Sequence, residues 1–431
     1  MALTVDGLKA LAARIGNKVL ERQTNLSAPL LGLKALEEEK VTGRTRIVNV
    51  VSSGLSTTGI LQDGAQYLGA AGNGDGTDGN TPVHLYVSPQ SYVGHVRVGV
   101  TVADQMVGED DAFNLVEEQF SQVGDNLAQQ LDRALINPVI GVATAAQAGA
   151  IGSGQFTWTG IADVRGFRQG QRVDIFEDTS ASQGLPKAST ARQAIASVNT
   201  VSLDGTTPCS GNVLFDVITN TAYDDTKNLC AAVYGSFSAA AGALLAVGLA
   251  QACEFSSGTT PTVIYGQSIS GSEWSGNVLG SYSTSLTPAR MRQASDAIKM
   301  RSGKDLRCVI MSPLAATEYQ LAMGAGGASN AGGGTRFFAA GDKLDPFQKG
   351  DLTFGGAPVV IDPNCPSRDI FFIGKDAVKV GMWRKISAFG KDGGAEVSQT
   401  NFEYNIKCYG SAQLVVLKRN AIAQLKFQLT A

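Results

Sequence analysis

Apolar residues fall into two rhythms along the chain, and the longest run of one rhythm is helical. Between residues 109 and 136, Phe113, Val116, Phe120, Val123, Leu127, Leu131 and Ala134 recur at steps of three and four, the spacing of one helix face. Glu109, Asp110 and Asp111 open this stretch, Arg133 lies near its end and Pro138 follows. Acid at the start and base at the end complement the helix dipole, and proline stops the helix. Twenty-eight residues at 1.5 Å each predict a rod of roughly 42 Å. A second helical stretch, residues 3–22, places Val5, Leu8, Leu11, Ile15 and Val19 on one face. A polar break at Thr24–Pro29 ends it, and the acidic run Glu37, Glu38, Glu39 lies in the linker that follows. This opening has too few apolar residues for its own core and reads as an arm.

The second rhythm is the period of two. From 93 to 102, Val96, Val98, Val100 and Val102 alternate with His95, Arg97, Gly99 and Thr101, the pattern of a half-buried strand. Arg46–Ser52 is also β-rich, and a polar, glycine-rich tip runs from Gly69 to Thr81. Residues 45–107 therefore predict a long two-stranded excursion. Such a hairpin cannot bury both faces alone, so it implies a partner surface. Short β runs at Arg172–Phe176, Ala194–Leu203 and Val213–Ile218 predict a small barrel-like insertion over 155–222. Residues 231–252 read as an Ala-rich helix-like or buried segment. Thr287–Arg301 reads as a helix with proline in its first turn. Cys308–Met311 is a strand, with a helix around Ala315–Met323 and a low-complexity loop at Gly324–Gly334. Strands follow at Val359–Ile361, Ile370–Ile373, Ala377–Val380, Val397–Ile406 and Leu414–Leu417, with a hairpin turn at Asp392-Gly393-Gly394.

Charge narrows the function classes. The chain has 431 residues and 17% charged residues, against the usual ~25%. Lys and Arg number 35, Asp and Glu 38, too little cation to wrap nucleic acid tightly. A weakly charged surface suits contact with protein. The only histidines are His84 and His95, so a histidine-based triad or zinc site would have to use one of them. The six cysteines, Cys209, Cys230, Cys253, Cys308, Cys365 and Cys408, have no C-x-x-C spacing and read as buried thiols. Gly74–Gly79 fits G-x-G-x-x-G but lacks the strand and helix that a dinucleotide site needs. Asn73, Asp75 and Thr77 begin a calcium-loop pattern that Asp78 and His84 break. Both stretches read as loop. The acid pairs Glu117–Glu118 and Asp224–Asp225 read as solvated surface. No catalytic residue, cofactor or metal is expected. Lys9, Arg14 and Lys18 interrupt any signal-peptide core. The uncharged stretch Leu229–Cys253 is too poor in leucine-type residues for a membrane span and predicts a close-packed buried segment.

Several stretches then line up in order. Gly266–Asn277, around Trp274, precedes Ser285-Leu-Thr-Pro-Ala-Arg290, Arg301-Ser-Gly-Lys-Asp305 and Cys308-Val-Ile-Met-Ser-Pro313. Phe354-Gly-Gly-Ala-Pro-Val-Val-Ile-Asp362 and Asp369–Ile373 follow. This order resembles the major capsid proteins of tailed bacteriophages, with the Hong Kong 97-like shell fold. The resemblance implies an α+β fold divided into an N-terminal arm (1–44), an E-loop hairpin (45–107) and a spine helix opening the P-domain (108–154). The 155–222 insertion, an A-domain (223–375) and P-domain strands with a C-terminal return (376–431) complete it.

The resemblance further implies a virion protein that assembles in the host cytoplasm into hexamers and pentamers around double-stranded DNA, read without sequence specificity. Its expected partners are itself, a separate scaffolding protein, a portal and decoration or cement proteins, with no membrane. Expected subunit contacts are Val5, Leu8, Ile15, Tyr67, Tyr86, Tyr92, Trp274 and Trp383. Some members of the family join subunits by an isopeptide bond from an E-loop lysine. Here lysines stop at Lys40 and resume at Lys187, and arginine stays protonated and cannot replace the amine, so a non-covalent shell is expected. An encapsulin-like compartment shell is the alternative within the same fold. A β-rich surface adhesin or secreted hydrolase is the alternative outside it.

Overall fold

The structure is a computed structural model that describes residues 20, 28–32, 35–51, 82–99, 109–144, 156–161, 163–179, 182–183, 191–200, 209–216, 228–233, 237–238, 243–244, 247–253, 262–265, 267–269, 276–328, 352–388, 395–398 and 403–429. The long helix runs from Glu109 to Ile136, as its apolar spacing predicts. Phe120, Leu127, Leu131 and Leu135 are buried, and the helix lies against a five-stranded sheet. Glu403–Val416 is the centre of that sheet. Gln90–Gly99 pairs along one side of it. Val378–Ala388 and Ala395–Ser398 lie end to end along the other, and Glu37–Lys40 adds in parallel at the outer edge. Gly94 lets helix and sheet approach: a Cβ there would stand 2.7 Å from Val123 Cγ1 and 3.1 Å from Leu127 Cδ1.

Six strands form a central sheet in the order Asn277–Ser285, Ile422–Gln428, Asp369–Gly374, Leu306–Met311, Ala357–Ile361, Thr353–Phe354. The helix Pro288–Ser302 packs on it through Met291, Ala294 and Ile298. Thr287 Oγ1 accepts from the Arg290 amide at 3.4 Å, proline fills the first turn, and Gly303 at φ +66° closes the other end, so each end has the cap its sequence supplies. The helix Pro313–Ala328 buries Ala315, Ala316 and Tyr319. The helix-backed and central sheets share one continuous apolar core. Arg419, 1% exposed, closes it by donating from Nε to the Ala252 carbonyl at 2.9 Å.

A third sheet curls on itself, with a separate core around Trp158, Phe167 and Phe215, whose rings meet edge to face. Its order is Val139–Ala143, Asn228–Val233, Arg172–Thr179, Ala191–Thr200, Gly211–Asp216, Phe156–Ile161, with Ser182–Gln183 beside Arg172–Thr179. The two end strands come close without pairing. The expected limits 155–222 are too narrow, because 139–143 and 228–233 are hydrogen-bonded into the same sheet.

Several other expectations change. Arg46–Val51 pairs with Pro82–Val87, not with the strand near residue 95. That strand joins Glu403–Val416, some 300 residues away, where the face carrying Tyr92, Gly94 and Val96 is covered by the long helix. Val397–Ile406 is two antiparallel strands, since the ladder turns between Ser398 and Glu403. Asp392-Gly393-Gly394 lies outside the described residues. The strands flanking it are collinear along Glu403–Val416, so they do not form a hairpin with each other. Helix continues through Gly324 to Ala328, where a loop is expected; 329–334 lie outside the described residues. The Ala-rich stretch 231–252 contributes strand at its start and the helix Leu249–Cys253 at its end. The unit expected at 376–431 divides, with 378–416 in the helix-backed sheet and 422–428 in the central one.

Candidate assembly surface

The hairpin of Arg46–Val51 and Pro82–Val87 sets Ile47 opposite Tyr86, Val48 opposite Leu85 and Asn49 opposite His84. Alternation then gives it two unlike faces. Val48, Leu85 and Val87 are buried in the main core. On the other face Ile47 is 47% and Tyr86 53% exposed, and His84 Nδ1 meets Asn49 Oδ1 at 2.7 Å. A cross-strand aromatic–aliphatic pair standing in water is unused packing capacity.

The segment leading into the hairpin is held in place. Arg307 pairs with Glu37 and donates from Nε to the Ala35 carbonyl at 2.9 Å. Lys379 Nζ lies 3.5 Å from Glu37 Oε2. Arg307 is the main reason the Glu37 carboxyl sits below the usual carboxylate range. Arg46 Nε meets Glu39 Oε1 at 2.9 Å at the hairpin's base. These exposed pairs fix direction more than stability.

Of the expected contact residues, Tyr86 is exposed on this face. Tyr92 is a correction: it is 7% exposed and belongs to the core, because it shares the helix-side face of its strand with Gly94 and Val96 while the exposed Val93 points the other way. Trp383 packs half-buried against the core beside Gly381. Val5, Leu8, Ile15, Tyr67 and Trp274 lie outside the described residues. Ile47, which is not among the expected contacts, stands exposed beside Tyr86 on the same face; its alternation with Val48 is the signal for that position.

A cavity of about 580 Å³ opens where the long helix, the curled sheet and the central sheet meet, with Arg133, Asp163, Arg165, Arg368, Asp369 and Lys426 among its lining. Its inner charges are spent on the joint itself. Arg133 donates to the Gly166 and Arg165 carbonyls at 2.6 and 2.8 Å, and burial pulls its pKa down to about 10. Arg165 pairs with Asp163 at 2.7 Å and donates to the Cys365 carbonyl at 3.1 Å. Burial pushes the Asp369 carboxyl up to about 6. Among the described residues no group of three or more His, Cys, Asp or Glu is placed to hold a metal ion, and no described helix is long and apolar enough to cross a membrane.

No protein-family model and no curated protein matches the sequence. Solved structures match in fold. The cyanophage A-1(L) capsid asymmetric unit aligns over 93% of this chain and 92% of its own, at TM-score 0.51 and 14% identity. The virus-like particle from Pyrococcus furiosus aligns over 95% and 97%, at 0.41 and 8%. The holo-SrpI encapsulin complex from Synechococcus elongatus aligns over 94% and 90%, at 0.41 and 11%. With the cyanophage match, the helix-backed sheet, central sheet and hairpin define an α+β protein of the Hong Kong 97-like capsid fold.

Proposed function

We propose that the protein is the structural capsid protein of a tailed-phage head, assembling through hexamers and pentamers into an icosahedral shell around double-stranded DNA. The observation that carries this reading is the end-to-end likeness in fold to the cyanophage A-1(L) capsid subunit. In this reading the E-loop expected at 45–107 is carried by its Arg46–Val87 part, with Ile47 and Tyr86 seated on a neighbouring copy. Residues 1–44 are the arm, the long helix is the spine of the P-domain, and the central sheet is the body of the A-domain. The curled sheet is an insertion carried on that frame. A separate scaffolding protein, a portal and decoration proteins are its partners, the virion its location and the host cytoplasm its place of assembly. A weakly charged, mildly acidic subunit suits a container that must release its genome. Deleting residues 60–80, which spares the buried Leu85 and Val87, should leave a folded subunit that no longer assembles, read by calorimetry and sedimentation. Normal closed shells from that variant would remove the hairpin from the account.

A further inference from the structure

Two acids that no surface contact uses meet at the joint beneath the cavity. Asp132, in the last turns of the long helix, and Asp362, just after the Ala357–Ile361 strand, are both 0% exposed. Their carboxyl groups are within hydrogen-bonding reach of each other. The Leu30 amide, from the short helix Pro29–Gly32, donates to Asp132 Oδ1 at 3.4 Å. Asn364 Nδ2 donates to Asp132 Oδ2 at 2.9 Å, and the Asn364 amide to Asp362 Oδ1 at 2.8 Å. No donor among the described residues reaches Asp362 Oδ2. Two buried carboxylates in contact cannot both be charged without a large cost, and one proton between them removes it.

We propose that Asp132 and Asp362 share one proton that acts as a latch. It holds the Pro29–Gly32 turn, the end of the long helix and the 362–367 turn together; its loss in alkali sets two like charges against each other, and their repulsion, outweighing the pull of the charged Asp132 on the Leu30 amide, frees the Pro29–Gly32 turn. The surrounding charges do not replace that proton. Arg133 favours the charged form of Asp362 but is itself held by two carbonyls. From the curled sheet come Arg165, paired with Asp163, and Arg168, which faces Arg133. From the central sheet come the buried Cys365 thiol and Asp369. The Pro29–Gly32 turn brings an amide and no ionisable group.

Burial raises both carboxyls above the ordinary carboxylate value, and the neighbouring Asp362 raises Asp132 further. The folded chain then binds a proton that the unfolded chain has already lost. Its contribution is whole at acid pH and disappears as pH rises through the folded titration. The latch is a property of the folded subunit and holds whether or not that subunit assembles.

Hydrogen exchange at the Leu30 amide reads the latch directly. In the wild-type protein its protection, corrected for the intrinsic base catalysis of exchange, should fall by about tenfold per pH unit above the pair's titration. Asp362→Asn sets an N–H where the proton sits, at the unpartnered oxygen, and should keep Leu30 protected at every pH. Leu30 protection flat from about pH 6 to pH 10 in the wild type, or an equal fall in Asp362→Asn, overturns the proposal. If Asp362→Asn does not fold, the infrared carbonyl band of a protonated carboxyl in the wild type decides. Its disappearance in step with Leu30 protection supports the latch, and its absence at neutral pH overturns it.

Discussion

All six residues of the Asp369–Gly374 strand are buried, whereas the Arg46–Val51 and Pro82–Val87 hairpin buries one face and holds Ile47 and Tyr86 in water on the other. Both are β, and both contribute to the same continuous core. The strand's contribution is complete within one subunit, so its residues answer to folding alone. The hairpin is half finished. Its inner face is tied to the fold and its outer face has apolar surface that stands exposed among the described residues. Damage to the first region should therefore be read as lost stability, and damage to the second as lost assembly.

The largest effect is expected from emptying the strand. Phe372 is 0% exposed and meets Phe354 edge to face at 5.6 Å. Phe372→Ala should cost about 3–5 kcal/mol of subunit stability, measured by denaturant unfolding. A cost under about 1 kcal/mol would contradict so full a burial. Next comes the seam between helix and sheet. Gly94→Val drives its side chain into Val123 and Leu127 and should cost about 1–3 kcal/mol, visible as a lowered melting temperature. The hairpin's outer face should behave in the opposite way. Ile47→Ser with Tyr86→Ser should change subunit stability by no more than about 0.5 kcal/mol while sharply reducing the yield of assembled particles in sedimentation. Equal losses in both measurements would erase the distinction.

What the sequence disclosed follows the same division. The long helix was legible to the residue because seven apolar side chains at helical spacing, acids at the start and a following proline all agree. The capped helix Pro288–Ser302 was legible for similar reasons. Strand pairing was not. Alternation assigns residues to faces but carries no address for the partner, so the valines near residue 96 gave no sign of a ladder to Glu403–Val416. Tyr92 was misplaced because a tyrosine suits a core or an interface equally well, and its phase relative to Gly94 decides. The curled sheet's limits were missed because its first and last members along the chain, Val139–Ala143 and Asn228–Val233, are short apolar runs with no period to mark them. The acid pair was invisible, since 230 residues separate Asp132 from Asp362.

The smallest expected effect is a null one. With no lysine between Lys40 and Lys187, the hairpin offers no amine for an isopeptide bond. Denaturing electrophoresis of assembled particles, with and without reductant, should give a single band near 44.8 kDa. A reductant-resistant ladder would mean that the shell is locked by other side chains.

Negative-stain microscopy of the purified protein, at low and at high salt, tests the central claim most directly. The account predicts rings or closed, uniform shells from the wild-type chain, and dispersed, folded subunits from the Ile47→Ser, Tyr86→Ser variant. A wild-type protein that stays monomeric under both conditions, at every concentration tried, would contradict it.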